Sequence, residues 1–179
     1  MALKLITPAT ALAVSVADAK LSCRFDGDAL DADIADMILD ATRLVEHEVG
    51  RCVMPQTWEL TLDAFPSAFE LTRCPVDSVT SITYVDASGA TQVMVDTAYS
   101  LDPADDYGHA YVVPAFGSDW PDPRDQVNAV ALRYVAGYSD AASVPSQLKR
   151  QIKTFVAMLL DDPLAMGDRL AAIDKVYVL

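Results

Sequence analysis

The sequence predicts an α+β fold: N-terminal helices and a C-terminal helix packed with a small, mainly antiparallel sheet, plus an extended C-terminal arm. Three observations predict it. Apolar residues recur at three- and four-residue steps after residue 31 and again after residue 146. They alternate with polar residues in several short runs between about 56 and 136. The helical and strand segments are grouped rather than strictly alternating, which disfavours a parallel α/β sheet. Residues 1–163 are expected to form a single domain, with helices over about 15–50 and 144–161 and strands over about 56–136, and residues 164–179 to form the arm.

Each element has its own signal. Ser15, three residues before Asp18, resembles a capping box with Asp in place of Glu and opens a short helix to about Arg24. A turn at Asp26-Gly27-Asp28 follows. Ile34, Met37, Ile38, Ala41, Leu44, Val45 and Val49 then trace one helical face, which Gly50 terminates. Trp58, Leu60 and Leu62 alternate with Thr57, Glu59, Thr61 and Asp63 as a strand buried on one face, and Phe69 and Leu71 begin another. Val79–Val85 and Thr91–Val95 flank Asp86-Ala87-Ser88-Gly89 and read as a hairpin. Further strands are expected near Ala110–Val113 and Val127–Ala136. Between them PAFGSDWPDPRD, residues 114–125, carries three prolines and a glycine, so it must be a loop of defined shape. Val144-Pro145-Ser146 starts the last helix, whose apolar face is Leu148, Ile152, Phe155, Val156 and Leu159. Asp161-Asp162-Pro163 interrupts it, and the tail ends in the β-prone run Val176-Tyr177-Val178-Leu179.

Composition narrows the function classes. At 52% hydrophobic and 22% charged, the chain has ample material for a core. A net charge of −13 repels phosphate, so tight nucleic-acid binding by counterion release is not expected. An acidic wall past which a duplex slides without sticking is compatible with that charge. Cys23, Cys52 and Cys74 match no ligand spacing and read as reduced thiols of a cytosolic product. The opening MALKLITPATALAVSVADAK is broken by Thr7, Pro8 and Thr10 and is not expected to be a secretory signal. No stretch approaches the ~20 apolar residues that span a bilayer.

No catalytic, cofactor or metal site is expected. His47 lies in Glu46-His47-Glu48, whose consecutive side chains point to different helix faces and read as a solvated flank. His109 sits in a turn-rich stretch. A calcium loop starting at Asp26 fails at Leu30, Asp31 and Met37, and Asp28 and Asp31 read instead as acceptors for the free amides of a helix start. Convergence of Asp63, Asp102 and Asp105 would be needed for a hydrolase. No Gly-flanked serine elbow, phosphate cradle or reactive-cysteine motif is present, so the chain is not expected to be an enzyme. Phe116, Trp120 and Arg124 place two aromatics and a cation on the shaped loop, a composition enriched at protein interfaces. The competing reading folds Trp120 back over the sheet edge. Val176, Tyr177, Val178 and Leu179 are the second expected interface, an extended strand or plug for a neighbouring protein. A different class, a small-molecule or carbohydrate-binding module, would use Trp58 and Trp120 as exposed stacking platforms.

The order of segments also carries a resemblance. Leu5-Ile6-Thr7-Pro8, Val16-Ala17-Asp18-Ala19-Lys20 and Arg24-Phe25-Asp26-Gly27-Asp28 precede the long helix. Gly50-Arg51, Gln56-Thr57-Trp58-Glu59-Leu60 and the run Pro75 to Asp86 follow it. Val112-Val113-Pro114, Trp120-Pro121, the strand Val130 to Tyr138 and Val144-Pro145 complete the series. In that order the motifs resemble the phage head-to-tail connector family, the head-completion adaptors, including those of gene transfer agents. The resemblance covers about the first 160 residues; Leu21-Ser22-Cys23 departs from the more usual His-Leu pair, and the tail after Asp162 follows no motif. It implies a structural subunit of a virion or phage-like particle assembled in the host cytoplasm. Its partners would be further copies of itself in a ring, dodecameric on the portal, then the portal protein and a tail-side stopper or tail terminator. DNA would pass through the ring without specific binding, and no membrane or catalytic residue is implied.

Overall fold

The computed structural model describes residues 1–102 and 109–161. They divide into two compact units, one of residues 1–8 and 56–137 and one of residues 9–55 and 138 onward. The first is a β unit and the second is helical.

In the β unit, β1 (Ala2–Thr7), β2 (Gln56–Leu62), β4 (Val76–Val85), β5 (Thr91–Val93) and β8 (Val130–Ala136) form a five-stranded sheet. Its order is β1-β2-β8-β4-β5. A three-stranded sheet of order β3-β7-β6 comprises β3 (Phe69–Leu71), β6 (Tyr99–Asp102) and β7 (Ala110–Pro114). Every pairing is antiparallel. The expected single sheet is therefore two, within the α+β class that was expected. The alternation read from Trp58, Leu60 and Leu62 puts Trp58 and Leu60 into the core and leaves Leu62, at the strand end, half-buried; Leu132, Tyr134, Phe69, Leu71, Ile82 and Val112 join the first two. Two strands were not expected: β1, which pairs Leu5 with Trp58, and β6, which pairs Leu101 with Val112, although Tyr99 and Leu101 alternate with Ser100 and Asp102 and Leu3 and Leu5 flank Lys4. β1 pairs with a strand more than fifty residues away, and β6 with the strand that follows it in sequence.

The helical unit holds α1 (Val16–Cys23), α2 (Asp31–Val49) and α3 (Ser146–Asp161). Ser15 caps α1 as its sequence suggests, its Oγ accepting the Asp18 amide at 3.1 Å. Gly50, at φ 68°, ends α2 in a left-handed cap. The predicted faces of α2 and α3 bury Ile34, Ile38, Ala41 and Val45 with Ile152, Phe155, Val156 and Leu159 in one core. Burying such side chains stabilises by about 1.5–3 kcal/mol each before chain entropy is counted.

Two local expectations are corrected. Asp28 and Asp31 do not cap α2 with their side chains; the cap residue is Leu30, without a side-chain bond. Both carboxylates instead take the Lys20 ammonium, at 2.9 and 2.7 Å, and so tie the turn between α1 and α2. Glu46 is not part of a solvated flank: it is buried, and its Oε1 accepts the Val53 amide at 2.6 Å, while His47 and Glu48 are exposed as expected.

Candidate interface loop

The loop over residues 114–125 is held at several points along its length. Ala115 donates its amide to the Ala98 carbonyl at 3.0 Å, and Ser118 donates to Ala115 at 2.9 Å, closing a tight turn over Phe116-Gly117. Gly117 at φ 77° occupies a left-handed position that a side chain would strain. Farther on, the Arg124 amide donates to the Val85 carbonyl at 2.8 Å.

Trp120 supplies the packing. Its ring stacks on Phe65 at 5.1 Å and meets Phe69 edge-on at 5.4 Å, while Phe65 also contacts Tyr84 at 5.6 Å. Trp120 is thus half-buried, the place given by the competing reading of this residue, and it anchors the loop to the sheet. Its buried indole N–H has no acceptor among the described residues. Phe116 is the opposite case: at 107% relative exposure its ring touches little of its own chain. Such a projection on a braced loop has the form of an interface anchor, because the backbone beneath it needs no further ordering on binding.

Arg124 is exposed and lies against the neighbouring hairpin turn. A Cβ added to Gly89 would fall 2.9 Å from its Nη1, and Gly89 itself has φ 88°. That turn is organised by Asp86, whose Oδ1 accepts the Ser88 and Ala90 amides at 2.9 and 3.0 Å and whose Oδ2 accepts Gln92 Nε2 at 2.7 Å. Hydrogen bonds from Ser88 and Gln92 lead the causes that pull its carboxyl down from 3.8 to about 2. Val176, Tyr177, Val178 and Leu179, the other expected interface residues, lie outside the described residues.

The side chains weighed for chemistry are occupied otherwise. Asp63 accepts the Asn128 amide at 2.8 Å, which holds Asn128 at φ 55°; Asp102 is exposed on β6, and Asp105 lies outside the described residues. His109 pairs with Glu70 at the surface. Burial, and then the Asp161 carboxylate, raise the Cys23 thiol, which leaves it a weak nucleophile. Among the described residues no three His, Cys, Asp or Glu side chains gather to hold a metal. Trp58 is only 2% exposed beneath the Arg73 guanidinium, 4.9 Å from its ring centre, and cannot serve as an open sugar platform.

No family model matches the sequence, and no curated protein matches it either. Solved structures do match in fold. A chain in the virion of a native gene transfer agent particle aligns at TM-score 0.75 with 20% identity, over 99% of this chain and 95% of that one. The fold is that of a gene transfer agent particle protein. A chain from the neck of an empty particle, computed with C6 symmetry, aligns at TM-score 0.74 with 22% identity, over 90% of this chain and 84% of that one. A chain from the neck of a native particle, computed with C12 symmetry, aligns at 0.67 with 19% identity and the same coverages. The alignments extend over both units rather than over one motif.

Proposed function

We propose that this chain is a structural head-to-tail connector subunit of a tailed phage or phage-like particle. It forms a ring beneath the portal and joins the head to tail-side components, with no catalysis. The observation that carries this reading is the shared fold, over 99% of this chain, with a protein of a gene transfer agent virion. Neck chains of the same fold come from structures computed with sixfold and twelvefold symmetry, which supports a ring, dodecameric on a portal. A net charge of −13 suits a conduit through which DNA passes without specific binding.

In this reading Phe116, on the loop braced by Trp120 and Arg124, enters a pocket of the portal or of the tail-side stopper or terminator. Val176–Leu179 supplies a second contact to the portal as an added strand or plug. Assembly takes place in the host cytoplasm, and the product resides in the particle.

Deleting the gene tests the proposal. DNA-filled heads without tails should accumulate, and adding the purified protein to them should restore tail joining. Tailed, infective or DNA-transferring particles made in its absence would overturn the assignment.

A further inference from the structure

The helical unit carries opposite charges on two of its faces. On α2, Asp33, Asp36 and Asp40 recur at three- and four-residue steps and form one stripe away from the buried positions Ile34, Ile38, Ala41 and Val45. Asp33 and Asp36 are exposed, and Asp40 reaches Arg43 at 3.7 Å. On α3, Lys149, Arg150 and Lys153 fall within one turn on a face beside the apolar stripe. None of these three forms an ion pair with a carboxylate among the described residues; Lys149 lowers the Asp140 carboxyl only as its last-ranked cause, and Asp18 shares a cleft of about 300 Å³ with Lys149 and Lys153.

One of the cations on α3 also breaks a local rule. Lys149 lies in the first turn, where the macrodipole favours anions, and α3 has no acidic residue there. Cations that no carboxylate pairs with among the described residues are often found where a partner meets them. In a chain of net charge −13, neighbouring copies repel unless charges of opposite sign meet where they touch. A closed ring further requires two different, complementary surfaces on every subunit.

We infer that the cationic face of α3 on one copy, Lys149, Arg150 and Lys153, docks against the anionic stripe of α2 on the next copy, Asp33, Asp36 and Asp40. This rests on the ring reading above and deepens it by naming the subunit contact. The contact sets orientation and neighbour choice, because exposed charge pairs contribute little raw affinity.

The test reverses each face and then both, in the full chain, and counts necks by electron microscopy on portal-bearing heads that lack the native protein. K149E/R150E/K153E alone and D33K/D36K alone should each lower neck-bearing heads about tenfold, and the two sets combined in one chain should restore most of them. Thermal unfolding of the isolated variants separates failed folding from failed assembly, and raising salt should lower the wild-type yield. Necks unaffected by either reversal, or no recovery in a combined variant that melts like the wild type, would overturn the contact while leaving the ring reading intact. Absence of any ring with the wild type would overturn both. A 30-base-pair duplex, at an order-of-magnitude length for such a probe, that binds wild type but not the α3 variant while necks stay normal would assign the face to DNA and overturn the proposal.

Discussion

The loop over residues 114–125 and the charged faces of α2 and α3 expose functional chemistry in opposite ways. The loop holds the backbone of one exposed apolar residue, Phe116, at a fixed place through a turn, a glycine at positive φ and the stacked Trp120. The helix faces present charged side chains such as Asp33, Asp36 and Arg150, exposed along a helix. A fixed apolar projection contributes binding energy when it enters a pocket, with little dependence on salt. A charged face contributes orientation and speed of encounter, and salt screens it over about 8–10 Å. In the proposed contacts the first would carry affinity and the second alignment, so their responses to mutation should differ in kind.

The largest expected stability effect is at the loop anchor. Trp120→Ala should lower unfolding free energy by about 2–3 kcal/mol, since it removes the stack on Phe65 and the edge contact with Phe69. Phe116→Ala, four residues away, should change stability by less than about 0.5 kcal/mol yet abolish tail joining to heads. Chemical denaturation paired with a tail-joining assay checks both; similar stability losses for the two would erase the distinction between anchor and projection.

Glu46→Ala comes next, at about 1–3 kcal/mol in chemical denaturation, because it strands the buried Val53 amide. The Asp86 turn gives a smaller, pH-dependent effect. Its folded carboxyl titrates near 2 against 3.8 ordinarily, so the folded state holds fewer protons than the unfolded state between those values. Its contribution is full only well above 3.8 and is lost as pH falls through about 2. Asp86→Asn should therefore narrow its stability gap from the wild type steadily over that window; a gap constant from pH 6 to 2 would contradict the role of the carboxylate. The smallest change belongs to Lys20→Met, which should speed amide exchange across residues 26–31 with little shift in melting temperature.

Much of this was legible in the sequence. The periods of α2 and α3, the Ser15 cap, the Gly50 stop and the hairpin around Asp86 all rest on local chemistry, and each lies where that chemistry puts it. β1 and β6 were not expected, although Leu3 and Leu5 flank Lys4 and Tyr99 and Leu101 alternate with Ser100 and Asp102; the pairing that makes β1 a strand, Leu5 opposite Trp58, spans more than fifty residues. Glu46 was hidden between two polar neighbours, although its position four residues after buried Thr42 puts it at the border of the apolar face. Phe116, Trp120 and Arg124 were recognised as a group from composition, but the split between a buried anchor and an exposed ring needed the path of the chain.

The most direct test of the connector assignment is electron cryomicroscopy of the neck of particles purified from cells that express this chain. The account predicts a twelvefold ring of this fold directly beneath the portal, with Phe116 buried in an adjoining protein. A neck built entirely of other proteins, with this chain absent from intact tailed particles, would contradict it.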